Sequence, residues 1–185
     1  GKIYKLSDII MELECLEELK RIRYTTSHPK DMSKDLIDCY KNSNKLVPFI
    51  HLPVQSGSTK ILKNMNRKHT RKEYLSIIKN LIKVRSDIQF SSDFIVGYPG
   101  ETEKDFDDTL SFIKEVNFIN SFSFIYNSRP GTPAANLKEV NKEIQKKRLI
   151  ILQNLLENIQ IKENKNQVGK LKEVLIENKM KNQPN

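Results

Sequence analysis

Apolar residues along this chain switch repeatedly between helical and strand-like spacing. Ser7 is placed to cap a helix in which Ile9, Ile10, Leu13, Leu16 and Leu19 recur at three- and four-residue intervals. The run from Arg21 to Ser27, rich in Ile, Tyr and Thr, predicts a strand that Pro29 ends. A short helix from Ser33 to about Tyr40 follows, then a second strand over Val47–Val54, delayed at its start by Pro48. Thr70-Arg-Lys-Glu73 is a capping box, opening a helix with Tyr74, Ile77, Ile78, Leu81 and Ile82 on one stripe. Ile88–Val96 predicts a third strand and Gly97-Tyr-Pro-Gly100 a turn. Thr102 caps the next helix, with Phe106, Leu110 and Ile113 inward, and Phe122–Tyr126 is the fourth strand. Asn141 then opens a long amphipathic helix with Ile144, Ile151, Leu155 and Ile159 on one side, running to about Lys165. Gly169 breaks it, and Leu171–Ile176 reads as one more strand.

Strand followed by helix, several times over, predicts an α/β fold with a parallel sheet and right-handed crossovers. Polar residues collect at the C-terminal ends of the strands: Ser27 and His28, Gln55 and Ser56, Asn127 and Ser128. Parallel α/β folds place ligands at that end. Asp93 breaks the pattern as a carboxylate inside a strand, and a buried acid there needs a partner. Glu103, Asp105, Asp107 and Asp108 crowd the first turn of one helix, where the macrodipole favours them.

Charge and cysteines narrow the classes. The 185 residues carry a net charge of +9, and residues 60–85 hold nine Lys or Arg against one acid, Glu73. Such a surplus suits a polyanion such as RNA, or is simply a solvated face. Cys15 and Cys39 form neither a disulfide framework nor a metal motif. Cys15 lies on an apolar helix face and is expected to be a core thiol, in a reducing cytoplasm. No run reaches the roughly 20 apolar residues of a membrane span, and no secretory signal pattern opens the chain. Gly1 stands within helix-like sequence, so a missing N-terminus is expected.

No Gly-x-Ser-x-Gly and no glycine-rich phosphate loop is present. His28, before Pro29, and His51, on a strand, read as structural. Asp93 with Glu101 is a weak carboxylate pair for glycoside hydrolysis. The combination of Gln55, Arg67 and Asp93 carries more. Arg67 can hold a carboxylate bidentately, Asp93 can accept from sugar hydroxyls, and Gln55 can do either. A ligand with an amino-acid end and a ribose fits all three, and S-adenosylmethionine is such a molecule.

With these residues in view, the chain resembles the radical S-adenosylmethionine methylthiotransferases. The resemblance rests on Arg21-Ile-Arg-Tyr-Thr-Thr-Ser-His-Pro29, His51-Leu-Pro-Val-Gln-Ser-Gly-Ser58, Met65-Asn-Arg67 with His69-Thr70, Asp93-Phe-Ile-Val-Gly-Tyr-Pro-Gly-Glu-Thr102, and Phe122-Ser-Phe with Arg129-Pro-Gly-Thr-Pro133. Within the family it is most similar to the branch acting on prenylated adenosine in tRNA. The alternatives are the relatives that act on threonylcarbamoyladenosine or on a ribosomal protein, and a non-catalytic remnant. The resemblance implies about four β/α units of a radical-SAM (β/α)6 TIM-like barrel. It divides the chain into barrel at 1–136, linker helix at 137–167 and the start of a truncated TRAM-type RNA-binding β-domain at 168–185. It implies S-adenosylmethionine as cofactor, with Gln55, Arg67 and Asp93 binding it and the turn after Val96 near its adenine. It also implies two 4Fe-4S clusters, whose cysteine ligands, in a Cys-x-x-x-Cys-x-x-Cys motif and an N-terminal domain, are not in this chain. The partners implied are the tRNA anticodon stem-loop and an electron donor such as a flavodoxin or ferredoxin system, with the enzyme a cytoplasmic monomer. Alone, the chain is expected to be inactive and poorly soluble.

Overall fold

The computed structural model describes residues 4–26 and 28–175. Helix α1 spans Leu6–Glu14, a 3-10 turn Pro29–Asp31, and α2 Lys34–Asn42. Strand β1 (Phe49–His51) leads through α3 (Thr59–Asn64) and α4 (Arg71–Val84) to β2 (Gln89–Ser91) and β3 (Asp93–Val96). Helix α5 (Glu103–Val116) crosses over to β4 (Phe122–Ile125), and α6 (Lys142–Gln167) follows a 3-10 turn at Pro133–Asn136. All pairing is parallel. Phe49 lies opposite Gln89 and His51 opposite Ser91, while Asp93 lies opposite Phe122 and Val96 opposite Ile125. Parallel bridges from Ile22 to Leu46 and from Thr25 to His51 place residues 21–26 along β1, so the predicted first strand is a loosely paired edge. Its last residue, Ser27, lies outside the described residues.

The strand predicted over Ile88–Val96 is two strands, split at Ser92, and the cause lies next door. The neighbouring run Leu52-Pro53-Val54 contains a proline, which has no N–H to donate to a ladder. The buried Ser92 hydroxyl fills the gap. It accepts from the Val54 N–H at 2.9 Å and donates to the Leu52 carbonyl at 2.9 Å. Backbone pairing then resumes, with the Gln55 N–H donating to the Asp93 carbonyl at 2.9 Å. On the other side, the Ser92 N–H donates to Ser121 Oγ at 3.0 Å and the Ser92 carbonyl accepts from the Phe122 N–H at 3.0 Å.

One face of the sheet supplies the core. Ile50, Phe90, Phe94 and Val96 are buried against Tyr74, Phe106, Phe112 and Phe118. Gly57 lets α5 approach closely, because a Cβ there would stand 2.6 Å from the Thr109 Cα and 2.7 Å from the Asp108 carbonyl oxygen. The opposite face carries His51, Asp93 and Ile95, all half-buried, and the exposed Phe122 and Phe124. The predicted capping box at Thr70 is present, and the predicted cap at Thr102 is a box as well: Thr70 accepts from the Glu73 N–H at 3.2 Å, and Thr102 from the Asp105 N–H at 3.3 Å.

Several expectations are corrected. Helix α1 starts one residue before Ser7, which is buried inside it and donates to Asp35 Oδ2 at 2.6 Å. The helix stops at Glu14, leaving Leu16 exposed, and Cys15 is exposed too; Cys39 is the buried thiol. Helix α3 was not foreseen, because its six residues are too few to show a period. Ile82 is exposed on α4. On α6 the buried stripe is Gln145, Arg148, Leu152 and Leu156, with Ile144 and Ile151 exposed. Of the predicted stripe, Leu155 and Ile159 do pack against the core, but two of the four fully buried residues are polar, so hydropathy misses the N-terminal half of the buried face. Residues 171–175 carry no strand, and the end of that predicted strand, Ile176, lies outside the described residues with the rest of 176–185.

Replacing Ser92 by Ala orphans the buried Val54 N–H, whereas the Leu52 carbonyl keeps the Tyr74 hydroxyl at 2.8 Å. The expected cost is about 1–3 kcal/mol, read as a lower denaturant midpoint. An unchanged midpoint would remove the serine from this role.

Candidate active site

Gln55 follows the proline-containing run and sits in the left-handed region at φ 78°. That conformation is costly for a residue with a Cβ, and β3 holds it in place. The Gln55 N–H donates to the Asp93 carbonyl at 2.9 Å, and its carbonyl accepts from the Ile95 N–H at 2.9 Å. Gln55 is buried and its backbone is locked beside Phe94, bonded to Asp93 and Ile95 on either side.

Asp93 heads β3 and is not a fully buried acid within a strand, as the sequence had led us to expect. Its carboxylate is 3.5 Å from His51 Nε2, and His51 Nδ1 is 2.9 Å from Ser91 Oγ. Ser91 donates its one hydroxyl proton to the Asn120 carbonyl at 2.6 Å. It can therefore only accept from the imidazole, which places a proton on His51 Nδ1. His51 thus links the end of β1 to the carboxylate.

Arg67 reaches the same edge from the loop after α3. Asn66, at φ 57°, turns the chain, and the Arg67 N–H donates to the Leu62 carbonyl at 2.8 Å. The guanidinium is half-buried. Burial lowers its pKa, and the Asp93 carboxylate works against that fall. Asp93 thus lies within electrostatic reach of Arg67, while its ion-pair partner is His51.

Two further histidines flank Arg67. The His28 and His69 rings meet edge to face with centroids 5.0 Å apart, and His28 Nδ1 accepts from the Lys30 N–H at 3.1 Å. Burial and the Arg67 charge lower the His28 pKa. His69 is 4% exposed, yet neither ring nitrogen has a hydrogen-bond partner. Burial first, then His28 and Arg67, pushes its pKa down to about 4; Glu73 and the nearby Val54 carbonyl oppose the fall weakly. A buried imidazole with both nitrogens open is costly unless a ligand or water completes it. Sequence reasoning gave His69 no role. Its signal was its place, between Arg67 and the capping Thr70.

Glu101 is withdrawn as a partner for Asp93. It is buried in contact with Arg148 and the Gly97 N–H, and burial raises its pKa against their opposing effect. The basic run is also partly committed to structure. Lys60 pairs with Asp105 at 2.7 Å, Arg71 with Glu115 at 2.8 Å, and Arg85 with Asp87 at 3.2 Å. Among the described residues no group of three His, Cys, Asp or Glu could hold a metal ion, and no helix is long and apolar enough to cross a membrane.

Comparison with known proteins matches residues 2–113 to the radical SAM superfamily model. The tRNA-2-methylthio-N(6)-dimethylallyladenosine synthase of Pelagibacter ubique (strain HTCC1062) is 58% identical over 181 residues, covering 98% of this chain and 41% of the relative. The proteins of that name in Ehrlichia chaffeensis (strain ATCC CRL-10679 / Arkansas) and Neorickettsia sennetsu (strain ATCC VR-367 / Miyayama) are 50% and 52% identical, covering 97% of this chain in each case and 41% and 38% of the relatives. The chain thus spans about two fifths of the length of these relatives. Among solved structures, coproporphyrinogen III oxidase (HemN) of Escherichia coli, described as a radical SAM enzyme, superposes with a TM-score of 0.58 at 18% identity. It covers 71% of this chain and 31% of its own, and supports the fold alone.

The depressed His69 pKa has a consequence for stability. With a folded value of about 4 against 6.5 for a free imidazole, the unfolded chain binds the extra proton first. The contribution of this group is intact above pH 6.5 and is lost as pH falls towards 4. It amounts to about 3 kcal/mol once the pH is below both values. Denaturant titrations of wild type and His69→Leu between those limits should show a shallower slope for the variant; parallel slopes would contradict this.

Proposed function

The chain belongs to the radical SAM superfamily, and from that premise we propose that it is the barrel portion of an enzyme that methylthiolates carbon 2 of N6-dimethylallyladenosine, next to the anticodon in tRNA. The observation that carries this reading is identity of 50–58% over nearly the whole chain to proteins named for that product. Residues 168–185 are read as the opening of the RNA-binding β-domain and α6 as the linker to it. The partners on this reading are the tRNA anticodon stem-loop and an electron donor of the flavodoxin or ferredoxin kind. The enzyme would act as a monomer in the cytoplasm.

Arg67, Gln55 and Asp93 are the residues that would hold S-adenosylmethionine. The site suits it. A partly desolvated guanidinium with a carboxylate within electrostatic reach offers opposite charges to a zwitterionic amino-acid end. The low pKa of His69 keeps that neighbour of Arg67 neutral, so the guanidinium is not opposed by a second cation there. Arg67 takes the methionyl carboxylate, while Asp93 and Gln55 take the ammonium or the ribose hydroxyls. When bound, S-adenosylmethionine supplies both the hydrogen-abstracting chemistry and the methyl group. The donors for iron–sulfur clusters do not fit within the described residues: Cys15 is exposed, Cys39 is buried with its thiol 3.3 Å from the Asp35 carbonyl, and no third ligand joins either. The cluster ligands are accordingly assigned to parts of the enzyme beyond this span.

Mass spectrometry of tRNA nucleosides tests this reading. Cells lacking the full-length gene should accumulate N6-dimethylallyladenosine without its methylthio group, and complementation should restore it. Loss of methylthiolation from threonylcarbamoyladenosine or from a ribosomal protein instead would move the enzyme to another branch. The chain by itself, after reconstitution with iron and sulfide, is expected to show no turnover.

A further inference from the structure

The turn Gly97–Glu101, at the C-terminal end of β3, is fastened by a helix far away in sequence. Gly97 adopts φ 74°, and a Cβ on it would lie 2.5 Å from Gln145 Cγ. Its glycine is thus required both by the backbone and by the approach of α6. Both backbone polar groups of Gly97 are taken. Its N–H donates to Glu101 Oε2 at 2.7 Å, and its carbonyl accepts from Gln145 Nε2 at 3.1 Å. Arg148 Nη1 then donates to the same Glu101 oxygen at 2.8 Å and to the Glu101 carbonyl at 3.2 Å. The other guanidinium nitrogen reaches Glu103 at 3.0 Å, and the guanidinium lies 5.5 Å from the Phe106 ring centre.

Gln145, Arg148 and Glu101 are 4%, 5% and 6% exposed, so this polar knot sits where aliphatic side chains would pack at lower cost. It even leaves the Arg148 Nε–H without a partner. Stability alone does not account for such an arrangement, whereas fixing the direction of one turn does. The turn in turn braces the arginine loop. The Tyr98 hydroxyl donates to the Asn64 carbonyl at 2.8 Å, at the end of α3 and just before Arg67, and the Tyr98 ring contacts Tyr126 at 4.9 Å.

We propose that Gln145 and Arg148 of α6 are positioning residues for the cofactor, holding the Gly97–Glu101 turn in the orientation that receives the adenine of S-adenosylmethionine. This rests on the cofactor assignment above, and on the adenine lying near the turn after Val96 as the family resemblance implies, and adds residues from outside the 2–113 family match. It also means that the helix leading towards the assigned RNA-binding region grips the cofactor site directly.

The test is calorimetric titration of the full-length, cluster-containing protein with S-adenosylhomocysteine, and with methionine as a ligand lacking the adenine. Two mild variants are used, Gln145→Met and Arg148→Lys, so that one folded variant suffices. The expected result is affinity for S-adenosylhomocysteine reduced about tenfold, with methionine affinity unchanged. Unchanged affinity for S-adenosylhomocysteine, or equal weakening of both ligands, would overturn the proposal. If wild type binds neither ligand, the cofactor assignment itself falls.

Discussion

The Ser92 hydroxyl stands at the point where the two halves of the sheet meet. Pro53 interrupts the ladder between β1 and its neighbour, and the gap between the Leu52 N–H to Ser91 carbonyl bond and the Gln55 N–H to Asp93 carbonyl bond needs a substitute donor and acceptor. Ser92 supplies both, at 2.9 Å each way, and pairing restarts one residue later with Gln55 against Asp93. That restart puts Gln55 into its left-handed conformation and stations Asp93 at the head of β3. His51, at the end of β1, is brought to Asp93 by the same register. The site therefore inherits its geometry from a repair in the sheet, and Gln55 and Asp93 are held by backbone bonds that side-chain motion does not disturb.

Electrostatics then sharpens the arrangement. Arg67 sits among two histidines and a carboxylate, and three positive charges there would repel one another. Burial and mutual proximity resolve this by lowering the pKa of both His28 and His69, leaving the guanidinium as the cation of the group. One cation with one carboxylate in electrostatic reach suits a zwitterion. Free water competes poorly for such a site, so its charges act over a longer range than on an open surface.

Much of this was legible in the sequence, and the exceptions have physical causes. The caps at Thr70 and Thr102 are local, three-residue devices, and they formed as written. The parallel order of the strands followed from the alternation of strand and helix, and Gln55 and Asp93, both singled out in the sequence, are joined by a backbone bond. What did not show was anything set by partners remote in sequence. The break at Ser92 depends on a proline in a neighbouring strand. The inward face of α6 carries Gln145 and Arg148, and a hydropathy pattern cannot mark a polar side chain as buried. His69 could be placed only once α3 and the loop after it brought the ring against His28. Cys15 went the other way, since the helix that was to bury it ends one residue earlier.

The central claim is that the edge formed by Gln55, Arg67 and Asp93 holds the amino-acid end of S-adenosylmethionine. A crystal structure of the full-length protein with that ligand measures it directly. The account predicts the methionyl carboxylate within hydrogen-bonding distance of the Arg67 guanidinium, with the ammonium or ribose hydroxyls on Asp93 or Gln55. A ligand bound with its carboxylate elsewhere, away from Arg67, would contradict it.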